Sequence, residues 1–177
     1  MFRMIIAASA LGLGLVGAAS ASTVTVDVDA VTNSTGGGVG YDTGIALTLG
    51  EAYTVSADVL DTWSLGGNDP GCTRESNADG LTACFGTYSQ GGLTALYGTL
   101  VGQIGTGDFF VIGSDFSGLA TADGTLSLYL FDSNQGDNSG FITATITAPA
   151  AVPLPAAGLL MVGALGGLGA LRRRKAA

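Results

Sequence analysis

The stretch Thr125–Thr147, TLSLYLFDSNQGDNSGFITATIT, holds two apolar alternations separated by a polar loop. In the first, Leu126, Leu128 and Leu130 fall on one face. In the second, Ile142, Ala144 and Ile146 fall on one face and Thr143, Thr145 and Thr147 on the other. An apolar residue at every second position is the period of a half-buried strand, and Thr and Ile favour that conformation. Between the strands, FDSNQGDNSGF at 131–141 clusters Asp132, Asn134, Asp137 and Asn138 with no basic residue nearby. One reading is an ordinary hairpin loop, since Asp and Asn serve turns by hydrogen-bonding to their own backbone. The same oxygens suit calcium, which takes roughly six to eight ligands from carboxylates, amides and carbonyls. The spacing lacks the turn glycine and distal Glu of an EF-hand loop. From the loop alone, turn chemistry and a cation site both stand.

Upstream, TVTVDVD at 23–29 repeats the alternation with Val24, Val26 and Val28 on one side. Clusters of Gly, Asn, Asp and Ser (NSTGGGVG, GGNDPG, SQGG) interrupt the apolar runs, and no window between 23 and 148 carries a helical apolar stripe. Short strands with turn signals about every ten residues predict an all-β domain, a jelly-roll-like antiparallel β-sandwich over residues 22–148. That length suffices for one domain with its own core. The glycine-rich segment 35–40 reads as a flexible loop.

Charge is one-sided. All 14 Asp and Glu lie within 22–148, against Arg74 as the single basic residue there, a formal charge of −13. Nucleic acid is excluded as a partner, because phosphate contacts need Lys and Arg. The acidic excess instead favours solubility and hard cations. The chain has no His, which removes nucleophile–His catalysis. Among Glu51, Glu75 and the twelve Asp, no pair has a spacing that marks a glycosidase-type couple, so an enzyme is not expected.

The ends carry their own signals. Arg3, an apolar run from Met4 to Gly17 and Ala19-Ser20-Ala21 have the order of a secretory signal peptide, placed at 1–21. At 149–177, Pro149, Pro153 and Pro155 exclude regular structure. Then 16 apolar or glycine residues, Ala156–Leu171, precede Arg172, Arg173, Arg174 and Lys175. As a helix the run spans about 24 Å, slightly short of a bilayer core, and the basic cluster stays cytoplasmic. Val152-Pro153-Leu154-Pro155-Ala156 followed by this helix and basic tail resembles the VPLPA variety of the PEP-CTERM sorting signal. The resemblance implies an exosortase-type sorting protease as partner, transient insertion in the inner membrane, and delivery to the cell surface or extracellular matrix.

Cys72 and Cys84 enclose 11 residues, TRESNADGLTA. In an oxidising compartment they are expected to form a disulfide, since no further Cys or His could complete a metal site.

Leu96–Ile146 also resembles the PA-I galactophilic lectin family. The matching residues are GTLVGQIG at 98–105, F-x-I-G-S at 110–114, G-x-L-x-L-x-x-x-D at 124–132, and Asp137-Asn-Ser-Gly140. Trp63 and GLTAC at 80–84 fall where that family has a Trp and a polar ligand loop. The resemblance implies a Ca2+ ion bridging protein and sugar. Asp132 then takes the place of a bidentate carboxylate, and Asp137 and Asn138 that of paired side-chain ligands. A carbonyl of Asn134 or Gln135 and the Gly66 carbonyl complete the set. Ser76 and Asp79 fall near the family's sugar-holding His and Gln and, with Asp132 and Asp137, are the implied ligand-binding residues. Trp63 and Tyr88 are weaker candidates for stacking on a sugar ring. The expected function is a calcium-dependent carbohydrate-binding domain facing exopolysaccharide or a surface glycan. The alternative is a structural matrix protein in which calcium only stabilises the fold.

Overall fold

The computed structural model describes residues 20–66 and 70–150. The expected signal segment up to residue 19 lies outside the described residues, as do the sorting motif Val152–Ala156 and the apolar tail with its basic cluster.

Twelve strands form among the described residues: β1 (Ala21–Asp29), β2 (Tyr41–Leu47), β3 (Ala52–Ala57), β4 (Trp63–Ser64), β5 (Glu75–Ser76), β6 (Thr87–Gln90), β7 (Leu93–Leu96), β8 (Leu100–Ile104), β9 (Phe110–Val111), β10 (Asp115–Leu119), β11 (Gly124–Leu130) and β12 (Ser139–Pro149). The protein is an antiparallel β-sandwich. One sheet places β1 and β3 on either side of β12, with β10 beyond β3; β4 and β5 continue from the start of β12. The second sheet runs β2-β11-β8-β9, and β6 and β7 form a separate hairpin.

The alternation read from the sequence sets the core. Leu126, Leu128 and Leu130 of β11 and Ile142, Ala144 and Ile146 of β12 are all at 0 % exposure, in one apolar cluster with Val26, Val28 and Val55. Outer positions carry hydroxyls that pair across the β1–β12 ladder. Thr23 meets Thr147 at 3.1 Å, Thr25 meets Thr145 at 3.2 Å, and the Thr143 hydroxyl donates to Asp27 at 2.9 Å.

Three features differ from the sequence reading. The loop 131–138 is not a hairpin connection: β11 and β12 belong to opposite sheets, so the loop carries the chain across the mouth of the sandwich. β12 extends through Pro149, paired with Ala21; a proline at a strand end removes no needed donor. The segment 33–38 is packed rather than loose. Ser34 is fully buried and bridges Leu130; Thr35 N–H donates to the Leu130 carbonyl and Leu130 N–H to the Asn33 carbonyl, each at 2.9 Å.

Leu128→Ala is expected to cost about 2–5 kcal/mol in urea denaturation, as the loss of a buried leucine does. Thr145→Ala on the outer face is expected to cost less than about 1 kcal/mol. Equal costs would mean that β11 and β12 do not face each other across a core.

Candidate functional site

Leaving β11 fully buried at Phe131, the chain enters the crossing loop with Asp132 only 5 % exposed. Its backbone is fixed by one side chain: the Thr35 hydroxyl donates to the Asp132 carbonyl at 2.9 Å and lies 3.1 Å from its N–H. Gly36 permits this approach, because a Cβ there would stand 2.5 Å from the Ser133 carbonyl carbon. A 3-10 turn, Gln135–Asp137, follows, capped by the Asn134 side chain, which accepts from Gly136 N–H at 3.1 Å. The Asn134 amide also donates to Asp137 Oδ1 at 2.9 Å, so these two exposed side chains face each other across the turn. The Gln135 carbonyl accepts from Asn138 N–H at 3.3 Å, and the Gln135 side chain lies against Gly37.

Asn138 ends the loop at 7 % exposure. Its Nδ2 donates to the Ala30 carbonyl at 3.1 Å. Only the NH2 end of an amide can serve that carbonyl, so the contact also fixes which end carries Oδ1. Asn138 Oδ1 and Asp132 Oδ2 are both buried and neither receives a hydrogen bond, although Asp132 Oδ1 accepts from Ser133 N–H at 2.8 Å. An orphaned buried acceptor costs about 1–3 kcal/mol, more when charged. Two buried acceptors without a hydrogen bond thus stand in one loop.

Burial raises the Asp132 carboxyl above its ordinary 3.8, against the lowering effects of the Asn138 amide and the Ser133 and Asn134 N–H groups; the Asp137 charge adds to the rise. The Asn138 amide eases the charge from nearby, but its donor is aimed at Ala30 and closes no hydrogen bond on Oδ2.

Gly66 reaches the same loop. It follows β4, whose Ser64 pairs with Ser139 of β12, and has a φ of +71°. A Cβ at Gly66 would collide with Asp137, so only glycine allows this approach. The structure thus gathers Asp132, Asn134, Gln135, Asp137, Asn138 and Gly66 at one end of the sandwich. Among the described residues, no three His, Cys, Asp or Glu side chains converge on one point. A cation held here therefore relies on amide and carbonyl oxygens as much as on carboxylates, a donor set that fits calcium.

Ser76 and Asp79 are engaged elsewhere. The Ser76 hydroxyl is buried and donates to the Asn77 carbonyl at 2.8 Å and the Gly98 carbonyl at 3.3 Å. Asp79 caps a corner, its Oδ1 accepting from Ser114 N–H at 2.7 Å and its Oδ2 from the Ser114 hydroxyl at 3.0 Å. Ser76 borders a groove of about 330 Å³ lined also by Thr62, Thr73, Glu75, Asn77 and Thr82. That groove lies along the loop closed by the Cys72–Cys84 disulfide, whose Cα atoms are 5.8 Å apart. Trp63 is core, 1 % exposed, with its Nε1–H donating to the Gly98 carbonyl at 2.9 Å.

Tyr88 is half-buried and stacks on Tyr97 with centroids 5.1 Å apart. Burial raises its hydroxyl pKa, as do the neighbouring Tyr97 and the Asp132 charge. Thr35, Gln90 and Tyr97 were not legible as neighbours of the loop. Their one signal was the glycine run at 36–38, which marks a close backbone approach as readily as a loose loop.

Seven chains of solved structure resemble this fold. One, described as the EclA N-terminal domain, a PllA-like lectin, aligns with a TM-score of 0.52 at 22 % identity, covering 71 % of this chain and 95 % of that one. The likeness establishes a sandwich fold shared with a lectin. No protein-family model matches the sequence, and no curated protein does.

Folded Asp132 holds its proton to higher pH than the unfolded chain does. Without a cation, the fold therefore loses stability as pH rises from about 3.8 through the raised folded value. Asp132→Asn is accordingly expected to raise the melting temperature of the metal-free protein at pH 7, with the advantage gone near pH 3. A lower melting temperature at pH 7 would show the charge to be satisfied within the protein.

Proposed function

We propose that residues 22–148 form a calcium-dependent carbohydrate-binding domain of an exported protein displayed at the cell surface or in the extracellular matrix. The observation that carries the reading is the pair of buried acceptors, Asp132 Oδ2 and Asn138 Oδ1, without a donor. Asp132, Asn138 and Asp137 would hold the ion, with carbonyls of Gly66 and of Asn134 or Gln135 as further ligands. Calcium would neutralise the buried carboxylate and present a Lewis-acidic face to paired sugar hydroxyls. The lectin-like sandwich supports carbohydrate as the ligand class, while the signal-like residues 1–21 and the Val152–Ala156 motif support export and handling by an exosortase-type sorting protease.

One observation favours a second reading, a matrix protein in which calcium only rigidifies the fold. Ser76 and Asp79, the residues implied to hold sugar hydroxyls, are committed to internal hydrogen bonds.

The decisive experiment is the thermal melt of the full-length protein with calcium and with excess EDTA, followed by a glycan array under both conditions. Calcium at about 100 times its Kd is expected to add roughly 2.7 kcal/mol. Asp132→Ala and Asn138→Ala are each expected to abolish the gain. Calcium stabilisation with glycan retention supports the lectin reading, and stabilisation with no glycan retained supports the matrix reading. No stabilisation overturns both.

A further inference from the structure

The β6–β7 hairpin belongs to neither sheet, yet it is fixed at three points, one on the crossing loop and two on the segments beside it. The Gln90 side-chain amide donates to the Thr35 carbonyl at 2.9 Å, and Thr35 in turn holds the backbone of Asp132. The Tyr97 hydroxyl, just past β7, donates to the Ser133 hydroxyl at 3.4 Å, and Ser133 N–H donates to Asp132 Oδ1. At the tip, Phe109 N–H donates to the Gly91 carbonyl at 3.0 Å, and a Cβ on Gly91 would stand 2.5 Å from the Phe109 ring. The hairpin is therefore a braced wall whose position relative to Asp132 is set by hydrogen bonds.

What the wall presents is aromatic. Phe85, Tyr97, Tyr88 and Phe131 follow one another with centroids 5.3, 5.1 and 5.0 Å apart. Phe131 at the inner end is fully buried, while Tyr88, Tyr97 and Phe85 are only partly so. Phe131 packs between Tyr88 and Phe109, and Phe85 and Tyr97 rest one side on the main core. Farther out, the Tyr97 hydroxyl reaches the loop at Ser133, the Tyr88 hydroxyl donates to Gln90 Oε1 at 2.8 Å, and both rings keep part of their edges exposed. A tyrosine edge with both apolar carbon and a hydroxyl matches a pyranose, which offers C–H groups on its ring and hydroxyls around its rim.

We propose that Tyr88 and Tyr97 form a second sugar subsite beside the Asp132 loop, so that the ligand is an oligosaccharide rather than a monosaccharide. One pyranose is held at the loop and the next lies along the tyrosine wall. This inference rests on the calcium-dependent carbohydrate reading above and deepens it. The residues implied to hold sugar hydroxyls near the ion are tied up internally, and the ring edges of the wall supply apolar contact that they do not. The wall is formed before binding, so little ordering entropy is lost when a sugar docks on it.

The test compares matched mono-, di- and trisaccharides on the full-length protein in saturating calcium, using the sugars that the array retains. Disaccharides are expected to bind about tenfold tighter than their parent monosaccharides, the step that burial of roughly 55 Å² of apolar surface yields. Tyr97→Ala and Tyr88→Ala are expected to bring the disaccharide down to the monosaccharide level, read as the ratio of the two affinities in saturating calcium so that any change at the Asp132 loop affects both sugars alike. Ser89→Ala, on the exposed Ser89–Thr94 pair of the same hairpin, is expected to change neither. Equal affinity for mono- and disaccharide in the unmodified protein overturns the inference whether or not the variants fold, and leaves the calcium-dependent lectin reading standing. An array that retains no glycan in calcium overturns both.

Discussion

A chain that leaves one sheet of a sandwich must cross about 10 Å to enter the other, and here it does so between Leu130 and Ser139. The inward residues of the two strands at its ends are fully buried, so neither can shift to relieve the other. Backbone polar groups in such a crossing cannot pair in a ladder and need partners from elsewhere. Thr35 serves Asp132, the Asn134 side chain serves Gly136, and Asn138 serves Ala30. Every one of these solutions brings a side-chain or backbone oxygen toward the crossing. Basic side chains contribute none of them, and the result is a concentration of acceptors at one end of the fold.

Neighbouring segments reach this end only where their side chains vanish. Gly36 lies on the Ser133–Asn134 peptide and Gly66 on Asp137, and neither place has room for a Cβ. Close approach of backbone raises the number of carbonyls near the loop without adding carboxylates. A cation held by one buried carboxylate, one amide and several carbonyls has an irregular shell. Calcium accepts that, whereas magnesium demands near-octahedral geometry and keeps its waters. The electrostatics of the whole domain act in the same direction, since a formal charge near −13 over residues 22–148 draws cations to its surface.

How much of this the sequence disclosed depends on the range of the interaction. β1, β11 and β12 were legible because each buries one face, and burial imposes a period of two on successive residues. The Cys72–Cys84 bond was legible because two thiols in one short span leave no other pairing. The assignment of β11 and β12 to opposite sheets was not, because alternation says which face is apolar and nothing about which strand lies alongside. Ser76 and Asp79 could be matched by position to sugar-holding residues, but their actual partners, Gly98 and Ser114, lie 22 and 35 residues away in the chain. The β6–β7 hairpin was silent for a different reason. Tyr88 packs on Tyr97 and Phe131, and no residue of β6 or β7 is fully buried, so the alternation marks no face clearly.

The orientation of Asn138 decides what kind of site this end can be. Were its Nδ2 not engaged elsewhere, it could serve the Asp132 carboxylate fully and leave a self-satisfied loop of ordinary turn chemistry. The Ala30 carbonyl prevents that by claiming the donor, and Ala30 is itself held, its N–H donating to the Gly140 carbonyl at 2.9 Å. Two strand ends thus engage the amide's donor and leave its buried oxygen, like Asp132 Oδ2, without a hydrogen bond. In a fold stabilised by only about 0.05–0.15 kcal/mol per residue, two unsatisfied acceptors weigh heavily against the native state. A cation that offset them would tie the crossing loop to the stability of the sandwich, and the protein would then be stiffest with the ion in place.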